Sequence, residues 1–264
     1  MAFDSRALLA WYERVKRPLP WRATKDPYAL LVSEVMLQQT QAQRVVPYYE
    51  AFLMRFPDVD ALARADSADV LAAWSGLGYN RRALSLQRAA RAVAHDGWPE
   101  DLTSLPGVGA YTAAAVASFA WDRPVAAVDT NVRRVIARHD GAERTPGELA
   151  RRAQELLPAA RAADFNQAMM ELGATVCRPR RPTCDACPVR AGCASQGREH
   201  VTRPSRRAVR FEDTDRWARG RILAAHVAGD PVPDIDTPRR RRAEDGLVRD
   251  GLLVRGADGE LRLP

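Results

Sequence analysis

Residues 105–119 read LPGVGAYTAAAVASF. A proline and two glycines within five positions make a tight turn, and the run of small residues after it reads as a helix. The two glycines let backbone approach a partner closely. Backbone N–H groups at the turn and the helix start can cradle a phosphate. A plain helix connection would use similar residues, so the rest of the chain has to decide between the two.

Working outward, helical periodicity dominates up to about residue 176. Helices are predicted over 5–16, 27–40, 41–55, 67–75, 80–95, 110–121, 130–139, 146–157 and 164–176. Ser67 and Thr145 stand where N-caps belong, and Pro146 suits a first helical position. Strand signals are scarce before residue 200, so this part is read as all-α. A polar basic linker, VTRPSRRAVR (201–210), leads to a small module over 211–264. There, helices are predicted over 213–228 and 237–249, and LLVRGADGELRL reads as a β-hairpin. Helices followed by a hairpin suggest a winged-helix-like α+β unit. TPRRRRAED (237–245) is either a solvated face or a DNA contact.

With 264 residues, 46% hydrophobic and 28% charged, the chain has the make-up of a globular protein with a real core. No apolar run approaches the roughly 18 residues of a membrane span. MAFDSRALLAWYERVKRPLPWR lacks the pattern of a signal peptide, so a cytoplasmic, nucleoid-associated protein is expected. The net charge of +7 favours a polyanionic partner. Nearly all the positive charge is arginine. Lys16 and Lys25 are the only lysines, which leaves two candidates for Schiff-base chemistry.

The four cysteines, Cys177, Cys184, Cys187 and Cys193, fall within seventeen residues at spacings of six, two and five. That clustering argues for a metal or cluster site rather than disulfides. Four thiolates suit a tetrahedral zinc or an iron–sulfur cluster, and spacing alone does not choose. Arg178, Arg180, Arg181 and Arg190 in this loop either contact phosphates or offset thiolate charge.

Two carboxylates stand out. Glu34 lies inside YALLVSEVMLQQTQ (28–41), on a helix face with Leu30, Leu31, Leu37, Gln38 and Gln41. It is either satisfied locally or an acid whose pKa is raised by apolar surroundings. Asp129, in AAVDTNVRRV (126–135), precedes a helix and would serve as an ordinary N-cap. One carboxylic acid and one carboxylate anion are what cleavage of a glycosidic bond requires.

In order, SEVMLQQTQ, GLGY, LPGVG, VD-x-NV, FNQAMMELGA and the cysteine loop resemble the adenine DNA glycosylase (MutY) family of the helix–hairpin–helix, endonuclease III superfamily. The resemblance covers roughly residues 8–200. It implies two helical subdomains, 26–133 with the hairpin, and 1–25 joined to 134–200 with a [4Fe-4S] loop held by the four cysteines. It implies a monomer that flips adenine, mispaired with 8-oxoguanine or guanine, out of double-stranded DNA and cuts its N-glycosidic bond. Glu34 would protonate the base and later activate water. Asp129 would stabilise or bond the cationic sugar. Asn131 would support the carboxylates, and Tyr111 would lie beside the nucleotide. Gln39 and Tyr79 resemble the residues that wedge into the base stack, with Gln38 beside them, and Gly107, Val108 and Gly109 form the DNA-binding hairpin. Tyr111 stands where endonuclease III-type enzymes carry their strand-cutting lysine, so a monofunctional enzyme is expected.

The sequence departs from the family in three ways. The family usually carries a C-terminal Nudix-like domain that reads 8-oxoguanine, and residues 201–264 show no such pattern. Tyr111 and a glutamate like Glu34 also occur in thymine–mismatch glycosylases, which leaves thymine or uracil removal as the alternative. Thr130 and Asn80 stand where many relatives have glycine and tyrosine.

Overall fold

The computed structural model describes residues 3–196 and 210–264. Linker residues 201–209 and residues 197–200 lie outside the described residues. The chain packs as two compact units, Met1–Glu34 with Val108–Pro204, and Val35–Gly107 with Ser205–Pro264.

The first unit holds α1 (Ser5–Val15), the start of α2 (Pro27–Leu37), α7 (Ala110–Trp121), α8 (Thr130–Asp140), α9 (Pro146–Leu156), α10 (Ala162–Thr175) and the cysteine loop. Helix α10 is its spine, packing against α1, α7 and α8. Leu8, Tyr12, Ile136, Leu149, Phe165, Met169 and Leu172 form one core cluster, and Leu30, Ala115, Phe119 and Ala127 a second. Because α7 packs on α10, residues 108–133 join the unit of the cysteine loop, whereas the family resemblance implies the other subdomain for them. Glu171, fully buried on α10, receives Arg17 Nε at 2.6 Å and Arg22 Nη2 at 2.6 Å. Burial alone would raise its pKa, but hydrogen bonds from these two guanidinium groups hold it below the usual carboxylate value.

Thr145 caps α9 as expected, in a full capping box with Glu148. Asp26 starts α2, accepting from the Tyr28 and Ala29 N–H groups at 3.1 and 3.2 Å.

The second unit holds the rest of α2, α3 (Ala42–Arg55), α4 (Val59–Arg64), α5 (Ser67–Trp74), α6 (Arg81–Asp96), α11 (Asp215–Ala228), α12 (Thr237–Arg249) and a hairpin of β1 (Val254–Arg255) and β2 (Leu261–Arg262). Helix α6 packs on α4 and α5, and Phe52 stacks edge-on to Trp74 with centroids 5.9 Å apart. The hairpin is antiparallel, with Val254 opposite Arg262, as the alternating pattern implies. Residues 210–264 fall in the same unit as Val35–Gly107. Helix α11 packs on α5 within the same unit. Most of the basic run is used internally. Arg239 donates to the Glu212 and Thr214 carbonyls, Arg240 pairs with Glu244, and Arg242 with Asp215.

The structure corrects three local expectations. Helix α4 has no counterpart among the predicted helices. It is six residues long, too short for a clear period, and starts from Asp58, whose side chain accepts from Ala61 N at 2.7 Å. The N-cap of α5 is Asp66, while Ser67 is inside the helix and donates its hydroxyl to Gln87 at 3.0 Å. Helix α2 stops at Leu37, short of the predicted residue 40. Gln39 turns into the left-handed region at φ 57°, and Arg82 takes the freed carbonyls of Val35, Met36 and Gln38 at 2.7, 3.0 and 2.6 Å.

Candidate active site

Glu34, Tyr111, Asp129 and Asn131 all belong to the first unit. Glu34 is 4% exposed, inside a helix whose neighbouring side chains Leu30, Leu31 and Val35 are buried hydrocarbons. A carboxylate there has lost nearly all its water. The Tyr111 hydroxyl, from the first turn of α7, donates to Glu34 Oε2 at 2.8 Å and lies 3.8 Å from Met170 Sδ on α10. Burial raises the Glu34 carboxyl to about 7. The nearby Asp129 charge adds to the rise, and the Tyr111 hydrogen bond opposes it. Tyr111 itself is pushed well above its ordinary pKa, by burial first and then by the two carboxylates.

Asp129 does both jobs that its position allows. Its Oδ1 accepts from Val132 N at 2.7 Å and caps α8. Its Oδ2 accepts from Asn131 Nδ2 at 2.7 Å. The preceding loop is pinned from two sides. Asn166, buried in α10, accepts from Ala127 N at 3.0 Å and donates to the Val125 carbonyl and to Ser118 Oγ at 2.8 and 2.9 Å. Gln154 accepts from Ala126 N and donates to the Pro124 carbonyl, at 3.0 and 2.8 Å. With both oxygens engaged and the loop clamped, Asp129 has little freedom to move.

Arg134 extends this network to the cysteine loop. It donates to Asn131 Oδ1 at 2.8 Å, to the Gly173 carbonyl at 2.7 Å, and through Nε to the Cys177 carbonyl at 2.8 Å. Arg138, one turn on, reaches Cys177 Sγ at 3.5 Å and the Arg178 carbonyl at 2.7 Å. Helix α8 thus carries the Asp129–Asn131 network at its start and docks the loop along its length. None of Arg134, Arg138, Asn166 and Gly173 is singled out by the sequence. The one usable signal is a polar asparagine on the buried face of FNQAMMELGA.

None of the four cysteines is in a disulfide, and all four are half-buried. Burial, with a smaller contribution from the other three sulfurs, raises Cys187 to about 11, so the four act on one another through space. Among the described residues, no three His, Cys, Asp or Glu side chains converge as a single-ion site would require.

In the hairpin, Gly107 and Gly109 are exposed, whereas Val108 turns its side chain inward at 6% exposure. Val108 can therefore offer only its backbone to a partner. Gly109 caps α7 with no side-chain acceptor, which leaves the helix start open to an anion. Gly107 has φ 78°, and a Cβ there would lie 2.6 Å from that of Ser85. Gln38, Gln39 and Tyr79 belong to the second unit. Gln39 and Tyr79 are both non-glycine residues in the left-handed region, at φ 57° and 50°. Arg82 braces the two turns, since besides the α2 carbonyls it donates to the Gly78 carbonyl at 3.0 Å.

Residues 32–159 match the HhH-GPD superfamily of base excision DNA repair proteins, and the described fold and hairpin are those of that class. Among solved structures, a thermostable thymine-DNA glycosylase aligns with TM-score 0.68 at 31% identity, over 72% of this chain and 94% of that one. An endonuclease III–DNA complex aligns at TM-score 0.63 and 21% identity, which speaks for the fold. The adenine DNA glycosylase of Mycobacterium tuberculosis is 44% identical over 97% of this chain and 92% of that protein. The human adenine DNA glycosylase is 43% identical over 73% of this chain and 39% of its own. The chain belongs to the adenine DNA glycosylase family. Among the described residues, no helix is long and apolar enough to cross a membrane.

Proposed function

We propose that the protein is a monofunctional DNA glycosylase that releases adenine mispaired with 8-oxoguanine or guanine from double-stranded DNA, acting as a cytoplasmic, nucleoid-associated monomer. The observation that carries the reading is Glu34, a buried carboxyl poised near neutrality in one unit with Asp129. The similarity to adenine DNA glycosylases supports the choice of base.

The chemistry follows from the two environments. With its pKa raised to about 7, a large share of Glu34 still carries its proton at neutral pH, and that form gives it to a ring nitrogen of the departing adenine. As the bond lengthens, positive charge grows on the sugar. Asp129, held on both oxygens, faces that charge without having to reorganise. Once the base has left, the Glu34 carboxylate takes a proton from the water that attacks the sugar. Asn131 is the positioning residue for Asp129, and Tyr111 for Glu34. With tyrosine at position 111 and only Lys16 and Lys25 elsewhere, no lysine is in place for a Schiff base, and strand cleavage should be slight.

The four cysteines would hold a [4Fe-4S] cluster. Their 6-2-5 spacing, their electrostatic interaction with one another and the similarity to adenine DNA glycosylases support this over zinc. When bound, the cluster would order residues 177–193 and, through Arg134, stiffen the Asn131–Asp129 pair. It takes no part in the bond cleavage. The exposed Gly107 and Gly109 backbone would meet a DNA phosphate. Gln38, Gln39 and Tyr79 would occupy the space left by the flipped base.

The test is single-turnover base release on four duplexes carrying 8-oxoG·A, G·A, G·T or G·U, each with and without hot alkali. Adenine release with strand breaks only after alkali is expected. Release of thymine or uracil instead would move the protein to the mismatch branch.

A further inference from the structure

Tyr79 is 39% exposed and holds a left-handed backbone that few non-glycine residues keep without outside support. Arg82 provides part of that support, with its guanidinium 5.4 Å from the ring centroid. The rest comes from the C-terminal residues. Arg216, in the first turn of α11, donates to the Tyr79 hydroxyl at 2.6 Å, and its guanidinium lies 4.9 Å from the Tyr79 centroid. The same guanidinium lies 5.1 Å from the ring of Phe211. Phe211 is 49% exposed. Tyr79, Arg216 and Phe211 thus form an aromatic–guanidinium–aromatic ladder open to solvent.

Two features set this ladder apart from ordinary packing. An aromatic cluster that only glued α11 to its unit would bury both rings. Arg216 also has no carboxylate partner among the described residues, since its neighbour Asp215 pairs with Arg242. Its charge remains available for an anion. Exposed aromatic and guanidinium planes beside an unneutralised charge suit an unstacked nucleobase and its phosphate.

On the reading that the protein flips adenine from a duplex, one base is left behind without its pairing partner and beside an emptied position in the stack. We infer that Phe211 and Arg216 extend the Tyr79 surface into a stacking platform for that orphaned base, with Arg216 as the positioning residue for Tyr79. Residues 210–264 then take part in sensing what lies opposite the adenine.

The experiment uses the full chain and a duplex with a fluorescent guanine analogue opposite 2′-fluoro-2′-deoxyadenosine, which resists cleavage. Binding by the parent protein should quench the analogue as it stacks. Arg216→Gln and Phe211→Leu should each remove at least about half of the quench and cost about tenfold in preference for this duplex over a matched one. Phe211→Tyr keeps a ring in place and should retain both. An unchanged quench and preference in Arg216→Gln and Phe211→Leu would overturn the inference. If Arg216→Gln loosens the fold, Phe211→Leu carries the test alone. A parent that releases adenine from G·A yet shows no quench sinks this inference only. A parent that releases adenine from no duplex sinks the proposed function.

Discussion

The Tyr111 hydroxyl donates to Glu34 Oε2 at 2.8 Å and works against the burial that raises the same carboxyl to about 7. In the proposed mechanism protonated Glu34 is the active form, so base release should be level below pH 7 and fall about tenfold per pH unit above it. Tyr111→Phe removes a donor that favours the ionised form. Its alkaline limb should therefore move to higher pH, even though the rate drops. A single-turnover pH profile of both proteins checks the sign, and a limb moving down would contradict it.

Glu34 should also cost stability. Its folded pKa lies above the ordinary 4.5, so the folded state binds the proton more tightly than the unfolded chain. That contribution is complete below about pH 4.5 and is lost as pH rises to about 7. Glu34→Gln should abolish base release and yet melt higher than the parent at pH 8, by up to about 3 kcal/mol. At pH 4.5 the two should nearly coincide. Thermal melts at the two pH values decide it, and a gap that narrows with rising pH would be the wrong sign.

Much of this is legible in the chain. The helical runs, the Thr145 cap, the glycine turn and the four cysteines are local signals, and the structure keeps the cap and most of the helical runs. Asp129 by itself reads first as an ordinary cap, and one of its oxygens does serve α8 while the other accepts from Asn131. What the chain hides is tertiary. Arg82 ends α2 from a position 45 residues away, and nothing local to Leu37 announces the stop. Arg134 looks like any helical arginine, because its four acceptors come from α8, α10 and the loop. The place of α11 beside α5, and so the Arg216–Tyr79 bond, lies across 137 residues of sequence.

Asp129→Asn separates the two jobs of that side chain. Asparagine caps a helix about as well as aspartate, so the bond to Val132 N should survive and Tm should change by only a few degrees. The other oxygen becomes an amide that cannot accept from Asn131, and the negative charge is gone. Base release should fall by about a thousandfold or more, with DNA affinity little changed. A melt and a single-turnover assay on one preparation suffice. Retained activity would remove Asp129 from the reaction.

Arg134→Ala should cut the link between the Asn131–Asp129 pair and the Cys177 carbonyl. It leaves the Gly173 and Cys177 carbonyls without a partner while touching no proposed reacting group. Base release should drop about 10- to 100-fold, and amides of residues 177–193 should exchange faster. Faster exchange with an undiminished rate would show that the loop and the site are not coupled.

Gly173 is where α10 meets the catalytic turn most closely. A Cβ there would lie 2.5 Å from Asn131 Cβ and 3.0 Å from its Cα. Backbone cannot yield as a flexible side chain would, so Gly173→Ala must push α8 away from α10. The expected cost is about 1–3 kcal/mol of stability. Because the displaced residue is the one that holds Asp129, base release should fall more than DNA affinity does. Gly220, inside α11, is the matching control, since a Cβ at that position would meet nothing within 4 Å. There the same substitution meets no obstacle, and the better helix propensity of alanine should add about 0.5–1 kcal/mol. Opposite shifts in Tm from one chemical change would tie the first to the Asn131 contact. Equal shifts would mean that the approach of α10 to Asn131 is slack.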